Sequence, residues 1–167
     1  MSTQERFEAG QVFDDTAFWR TCGRFASGVT VVLTEDEEIH GMTANGFISV
    51  SLEPPLVLIS VGVRTRTHER LVRGERYSVS VLGHEQKAVA EHFAARPTGV
   101  RPEYARLGGF PVVPGSIARL VCRVVDRHPA GDHTLFVGQV EHMEHDEGLP
   151  LVFSSGRLFS PLDEDRP

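Results

Sequence analysis

The sequence predicts a mainly β domain, a closed or split antiparallel barrel with short flanking helices. β-rich segments dominate the chain, the helical segments are short, and no βαβ alternation is sustained as a doubly wound sheet would require. The 167 residues suffice for one domain with a sizeable core. That domain is expected over residues 13–160, between a tail at 1–12 and another at 161–167.

Residues 14–24 read as a short amphipathic helix capped by Asp14 or Asp15, with Phe18 and Cys22 on one face. Residues 29–33 form a strand, and Glu35-Asp36-Glu37-Glu38 is a solvated acidic hairpin tip. A second strand carries Thr43-Ala44-Asn45-Gly46 and is ended by Pro54-Pro55, which cannot donate to a ladder. The apolar run 56–63 suits a strand buried on both faces. Thr67 is a candidate N-cap for a helix through Val72, with Gly74 as its stop. Residues 77–82 alternate with period two and predict a half-exposed strand. Helix formers fill 84–95, Val89 and Phe93 share a face, and Pro97 closes the segment. Residues 96–115 read as a long irregular excursion. Three further strands are expected at 117–125, 133–143 and 149–153.

Several function classes are excluded. The net charge of −6 and the absence of a concentrated basic face oppose nucleic-acid binding. No segment is long and apolar enough to span a bilayer, and residues 1–10 lack a secretory h-region, so a cytoplasmic protein is expected. Cys22 and Cys122 are far apart and read as buried free thiols. The run His142, Glu144, His145, Asp146 reads as a solvated hairpin end, because His142 and His145 point to opposite faces of a strand; no metal site is expected. No GxGxxG follows a strand, and P-loop, nucleophile-elbow and HExxH patterns are missing.

The segment from His40 to Ser60 is the most informative. Gly41, Ala44 and Gly46 place small residues where a strand core prefers branched ones, which suggests a large flat group against the backbone. Thr43, Asn45 and Ser49 add hydrogen-bonding groups, the combination a flavin ring needs. A Gly-weakened strand with a bulge before a Pro-Pro turn fits the same residues.

With Phe25-Ala26-Ser27-Gly28-Val29-Thr30-Val31-Val32 and Gly131-Asp132-His133, this segment resembles the flavin reductase domain family, and the resemblance runs from about Phe18 to about Leu158, nearly the whole chain. The resemblance implies an FMN-binding split barrel that uses NADH or NADPH to reduce FMN or FAD for a separate flavin-dependent monooxygenase, and a homodimer with its flavin pocket by the subunit interface. It implies flavin contacts from Met42, Thr43, Ala44, Asn45, Gly46 and Ser49, with Ser60 and Val61 at the ring edge. Thr65, Thr67 and His68 fall in a phosphate-holding turn, and Phe93 in a position that borders the flavin tail or packs in the core. His133 falls beside the nicotinamide pocket, although a Gly-Asp turn before a His is also ordinary hairpin chemistry. Arg157 and Phe159 complete the implied nicotinamide contacts. Gly46 departs from the family's commoner Ser, and Phe159 stands one place beyond its commoner terminal Tyr.

No acid/base pair is needed for hydride transfer between stacked cofactors, which the protein orients and shields. Two rivals share the barrel: an oxidoreductase with tightly bound FMN acting on an organic substrate, and a non-catalytic flavin-binding or sensor protein.

Overall fold

A computed structural model describes residues 14–96 and 98–163. The expected N-terminal tail, the signal-free start, Pro97 and the last residues of the C-terminal tail lie outside them. The helices are α1 (Asp15–Cys22), α2 (Arg66–Arg73) and α3 (Lys87–Phe93). The strands are β1 (Ser27–Gly28), β2 (Thr30–Glu35), β3 (Ile39–Ala44), β4 (Phe47–Ser51), β5 (Leu56–Gly62), β6 (Arg76–Val81), β7 (Ala105–Leu107), β8 (Phe110–Val112), β9 (Ala118–Ala130), β10 (His133–His145), β11 (Val152–Ser154) and β12 (Arg157–Phe159).

Seven strands form one antiparallel sheet in the order β3-β2-β6-β9-β10-β5-β4. Its two edges, β3 and β4, follow one another in the chain with only Asn45 and Gly46 between them. The sheet therefore curls until its edges meet at that corner, and it stays split because β3 and β4 are not neighbours in the ladder. The interior holds Val32, Val57, Ile59, Val61, Tyr77, Val79 and Phe136, with Leu71 of α2 packed among them. A second apolar layer lies outside: Val29, Val31 and Leu33 pack with Ala90 of α3, Leu82 and Leu151. Alternate residues of β2 thus serve two cores, which explains an unbroken buried strand in place of a half-exposed one.

The same reason corrects the reading of residues 77–82. Strand β6 lies between β2 and β9, and Tyr77, Ser78, Val79 and Ser80 are all buried. Its polar face is covered by the β7–β8 hairpin: the Ser78 hydroxyl donates to the Pro111 carbonyl at 2.6 Å, and Ser80 Oγ accepts from the Val113 N–H at 3.0 Å. The excursion at 96–115 is therefore partly ordered, with Phe110 and Val112 as its buried anchors. Strand β5 errs the other way. Val57, Ile59 and Val61 are buried in the barrel, while Leu56, Leu58, Ser60 and Gly62 form a half-open outer face.

Helix α1 is capped by Asp14, whose carboxylate accepts from the Thr16 N–H, but it buries no residue; Phe18 and Trp19 are exposed. Cys22 is exposed too, which corrects its reading as a buried thiol. Cys122 is buried, and desolvation pushes its thiol up to about 12. The acidic tip is not merely solvated. Arg66 pairs with Glu38, and Arg70 holds Asp36 at 2.7 Å. The Glu38 amide and the Arg70 charge keep the Asp36 carboxyl below its ordinary range. His142 and His145 are exposed on β10, and no cluster of metal-ligating groups occurs among the described residues. None of the described helices is long and apolar enough to cross a membrane.

Candidate active site

Strand β3 has two working faces. Met42 and Ala44 pack on the interior core, while Gly41 and Thr43 point outward beneath α3. The Thr43 hydroxyl donates to the Ala90 carbonyl at 2.6 Å. A Cβ on Gly41 would lie 2.4 Å from the Phe93 ring and 2.8 Å from Leu33 Cδ2. The flat group against this glycine is thus the protein's own Phe93, a partly buried ring packed against the outer apolar layer. A Cβ on Gly46 would lie 3.0 Å from Ser60 Cβ, so this glycine lets the corner close on β5, where the Ser60 N–H donates to the Gly46 carbonyl. Gly46→Val is expected to push Ser60 aside and raise the flavin KM, whereas Ser needs a shift of only a few tenths of an ångström. Equal flavin KM values for Gly46→Val and the parent would show that this corner does not shape the site.

What remains open beside Thr43, Ala44 and Asn45 is a cavity of about 200 Å³, walled by Val29, Ala90, Glu91, Ala94 and Arg96 on one side and by Phe153, Gly156 and Leu158 on the other. It shares Asn45, Phe153 and Gly156 with a larger groove of about 530 Å³ against α1. Sequence reading missed the second wall because the tight turn at Ser155-Gly156, both at positive φ, hides the short strand β12. On β12 it is Leu158 that lines the cavity; Arg157 is exposed, and Phe159 is half-buried opposite Val152. Ser49 is exposed on β4, and Val61 is fully buried in the barrel, leaving only its backbone for a ligand.

A second cluster forms along the outer face of β5. Gly62 pairs with His133 of β10, and a Cβ on Gly62 would lie 3.6 Å from Thr65 Cγ2 and 3.7 Å from His133 Nε2. The missing side chain keeps a cradle open between the two. Thr65, not Thr67, is the N-cap of α2: its hydroxyl donates to the Gly62 carbonyl at 2.9 Å and accepts from the His68 N–H at 3.1 Å. Thr67 is buried and meets His40 Nε2 at 3.1 Å. His68 turns inward, to Thr134 Oγ1 at 2.8 Å and edge-on to Phe136. Neither Thr67 nor His68 offers its side chain to the cradle; both fix α2 to the barrel. The groups left for an anion are the first amides of α2 and Arg64, which is exposed, since Arg66 is committed to Glu38.

Backbone-lined space, apolar walls, Asn45 as a mixed donor and acceptor, and a helix N-terminus fit a planar heterocycle carrying a phosphate. The flavin reductase like domain is matched over residues 22–161. The chain belongs to that family. A relative from Rhodococcus sp, an NADH-dependent flavin reductase, is 46% identical over 89% of this chain and 88% of its own. The reductase component of 4-hydroxyphenylacetate 3-monooxygenase from Thermus thermophilus is also 46% identical, over 82% of this chain and 90% of its own. Among solved structures, flavin reductase PheA2 in its native state superimposes with a TM-score of 0.87 at 40% identity, covering 90% of this chain and all 100% of its own. The NADH:FAD oxidoreductase SgcE6 of Streptomyces globisporus, in complex with NAD and FAD fragments, gives 0.82 at 38% identity over 93% and 100% of the two chains. The split barrel is thus the fold of the flavin reductases.

If the α2 amides and Arg64 hold the flavin phosphate, FMN binds this protein more tightly than riboflavin. Fluorescence-quenching titrations compare the two, and equal affinities would remove the turn from the site.

Proposed function

We propose that this chain is a flavin reductase that uses NADH to reduce free FMN or FAD and passes the reduced flavin to a separate monooxygenase. The observation that carries the reading is the cradle over Gly62, which sets His133, Thr65 and the α2 N-terminus around one open stretch of β5. Asn45, Ser60 and Gly62 would hold the ring along this stretch, and Arg64 with the first amides of α2 would hold its phosphate. When bound, flavin supplies the ring nitrogen that accepts hydride from the nicotinamide, with a solvent proton completing the reduction. The chain's own residues would hold the flavin and shield it from water, and His133 at the rim would orient the nicotinamide. NADH as donor fits a cytoplasmic enzyme.

A homodimer completes the site. Ile48 and Val50 are exposed on β4, and Leu58, Leu135 and Val137 are half-buried on the same side of the barrel as Ser60, Gly62 and His133. A second copy that covers this apolar strip would also wall the ring site. Sedimentation at assay concentration distinguishes dimer from monomer.

Colour and turnover test the function together. The reductase is expected to lose flavin on dialysis and to oxidise NADH only after FMN or FAD is added, at different rates for the two. A protein that stays yellow through dialysis and ignores added flavin contradicts the proposal.

A further inference from the structure

We infer that Asp132 is a positioning residue for the hydride-transfer site: it sets the tautomer and direction of His133 so that the ring presents a hydrogen-bond acceptor to the nicotinamide carboxamide. This rests on the placement of His133 proposed above. Asp132 Oδ1 lies 2.8 Å from His133 Nδ1. A carboxylate can only accept, so in the neutral ring the proton sits on Nδ1 and the lone pair on Nε2. Nε2 is the atom that leans over Gly62, into the cradle.

The turn itself is tied down. The Asp132 carbonyl accepts from the Val63 N–H at 3.0 Å, which fixes the β10 entry against the end of β5, and Gly131 supplies the positive φ the turn needs. On the inner face, Thr134 is held by His68. The backbone at 132–134 is therefore anchored on both sides, and the remaining freedom of His133 is rotation and tautomerism of its ring. The Asp132 contact at 2.8 Å biases both. Its carboxyl is held below the ordinary carboxylate range by His133 first and by Arg64 to a lesser degree, so it is ionised when it accepts.

An acceptor at Nε2 matches the amide N–H of nicotinamide. It mismatches the carboxylate of the acid analogue, which has no proton to give. Asp132 thereby contributes to selection of an amide-bearing donor without touching it.

The test measures NADH kinetics at saturating flavin for the parent, Asp132→Ala, Asp132→Asn, His133→Ala and the double alanine variant, together with ring-nitrogen shifts of His133 by NMR. Asp132→Ala is expected to lower kcat/KM for NADH about threefold to tenfold, the size of one modest hydrogen bond. It should also mix the two tautomers, while Asp132→Asn, whose amide oxygen still accepts, retains Nδ1–H and most of the activity. In the His133→Ala background the Asp132→Ala change should cost nothing further. An equal loss in that background would overturn the inference, since Asp132 would then act without the imidazole. An impaired His133→Ala with an unaffected Asp132→Ala would overturn it while sparing the role of His133. An unaffected His133→Ala would sink both.

Discussion

Replacing His133 with alanine is expected to lower kcat/KM for NADH about tenfold to a hundredfold while leaving flavin affinity nearly unchanged. The imidazole stands at the rim of the Gly62 cradle, half exposed, and its ring is paired with Asp132. Under the proposed placement, its loss would misplace the hydride donor without opening the core. Thermal unfolding is the control: a Tm close to the parent's assigns the effect to the donor, whereas a large fall in Tm would make His133 a structural turn residue. Unchanged kinetics with an unchanged Tm would remove it from the site and move attention to Arg64 and Thr65.

The second large effect lies at Gly41. Gly41→Val drives a branched side chain into the Phe93 ring and into Leu33, which is fully buried. Overpacking of this kind costs about 1–3 kcal/mol, and a domain of this size loses roughly 2–4 °C of Tm per kcal/mol. Because Ala90 and Glu91 of the displaced helix and its C-cap Ala94 line the cavity beside Asn45, flavin affinity should fall with stability. Phe93→Ala in the Gly41→Val background should restore part of both, since it removes the group that the new methyls meet. Gly41→Val with the parent's Tm would mean that Phe93 does not rest on this glycine.

These two residues show what could be read from the sequence. The barrel was legible because alternating and apolar runs report strands directly, and the start of α1 at Asp14, one of two candidate caps, and the end of α2 at Gly74 followed from their capping residues. The Thr43–Gly46 segment was rightly singled out as unusual, but its glycines answer to two different neighbours, Phe93 for Gly41 and Ser60 for Gly46. Those neighbours are distant in the chain, and spacing alone cannot separate a ring supplied by the protein from one supplied by a cofactor. Thr65 and Thr67 pose the same difficulty. Both are hydroxyls at a helix start, and only the register of α2 decides that Thr65 caps it while Thr67 turns into the barrel against His40. Leu158, Phe153 and Arg96 were missed because a wall built from a three-residue strand and a helix end leaves no periodic signal. The serines of β6 misled for a related reason: a polar face usually means solvent, and here it meets the β7–β8 hairpin.

The most direct measurement is an anaerobic turnover assay with catalytic amounts of the purified protein, excess NADH and a large excess of free FMN or FAD over enzyme. The expected result is bleaching of many equivalents of flavin per protein chain, with reduced flavin passing through a membrane that retains the protein. Bleaching that stops at about one equivalent, with the reduced flavin retained, would contradict the claim that flavin is a substrate released to a partner.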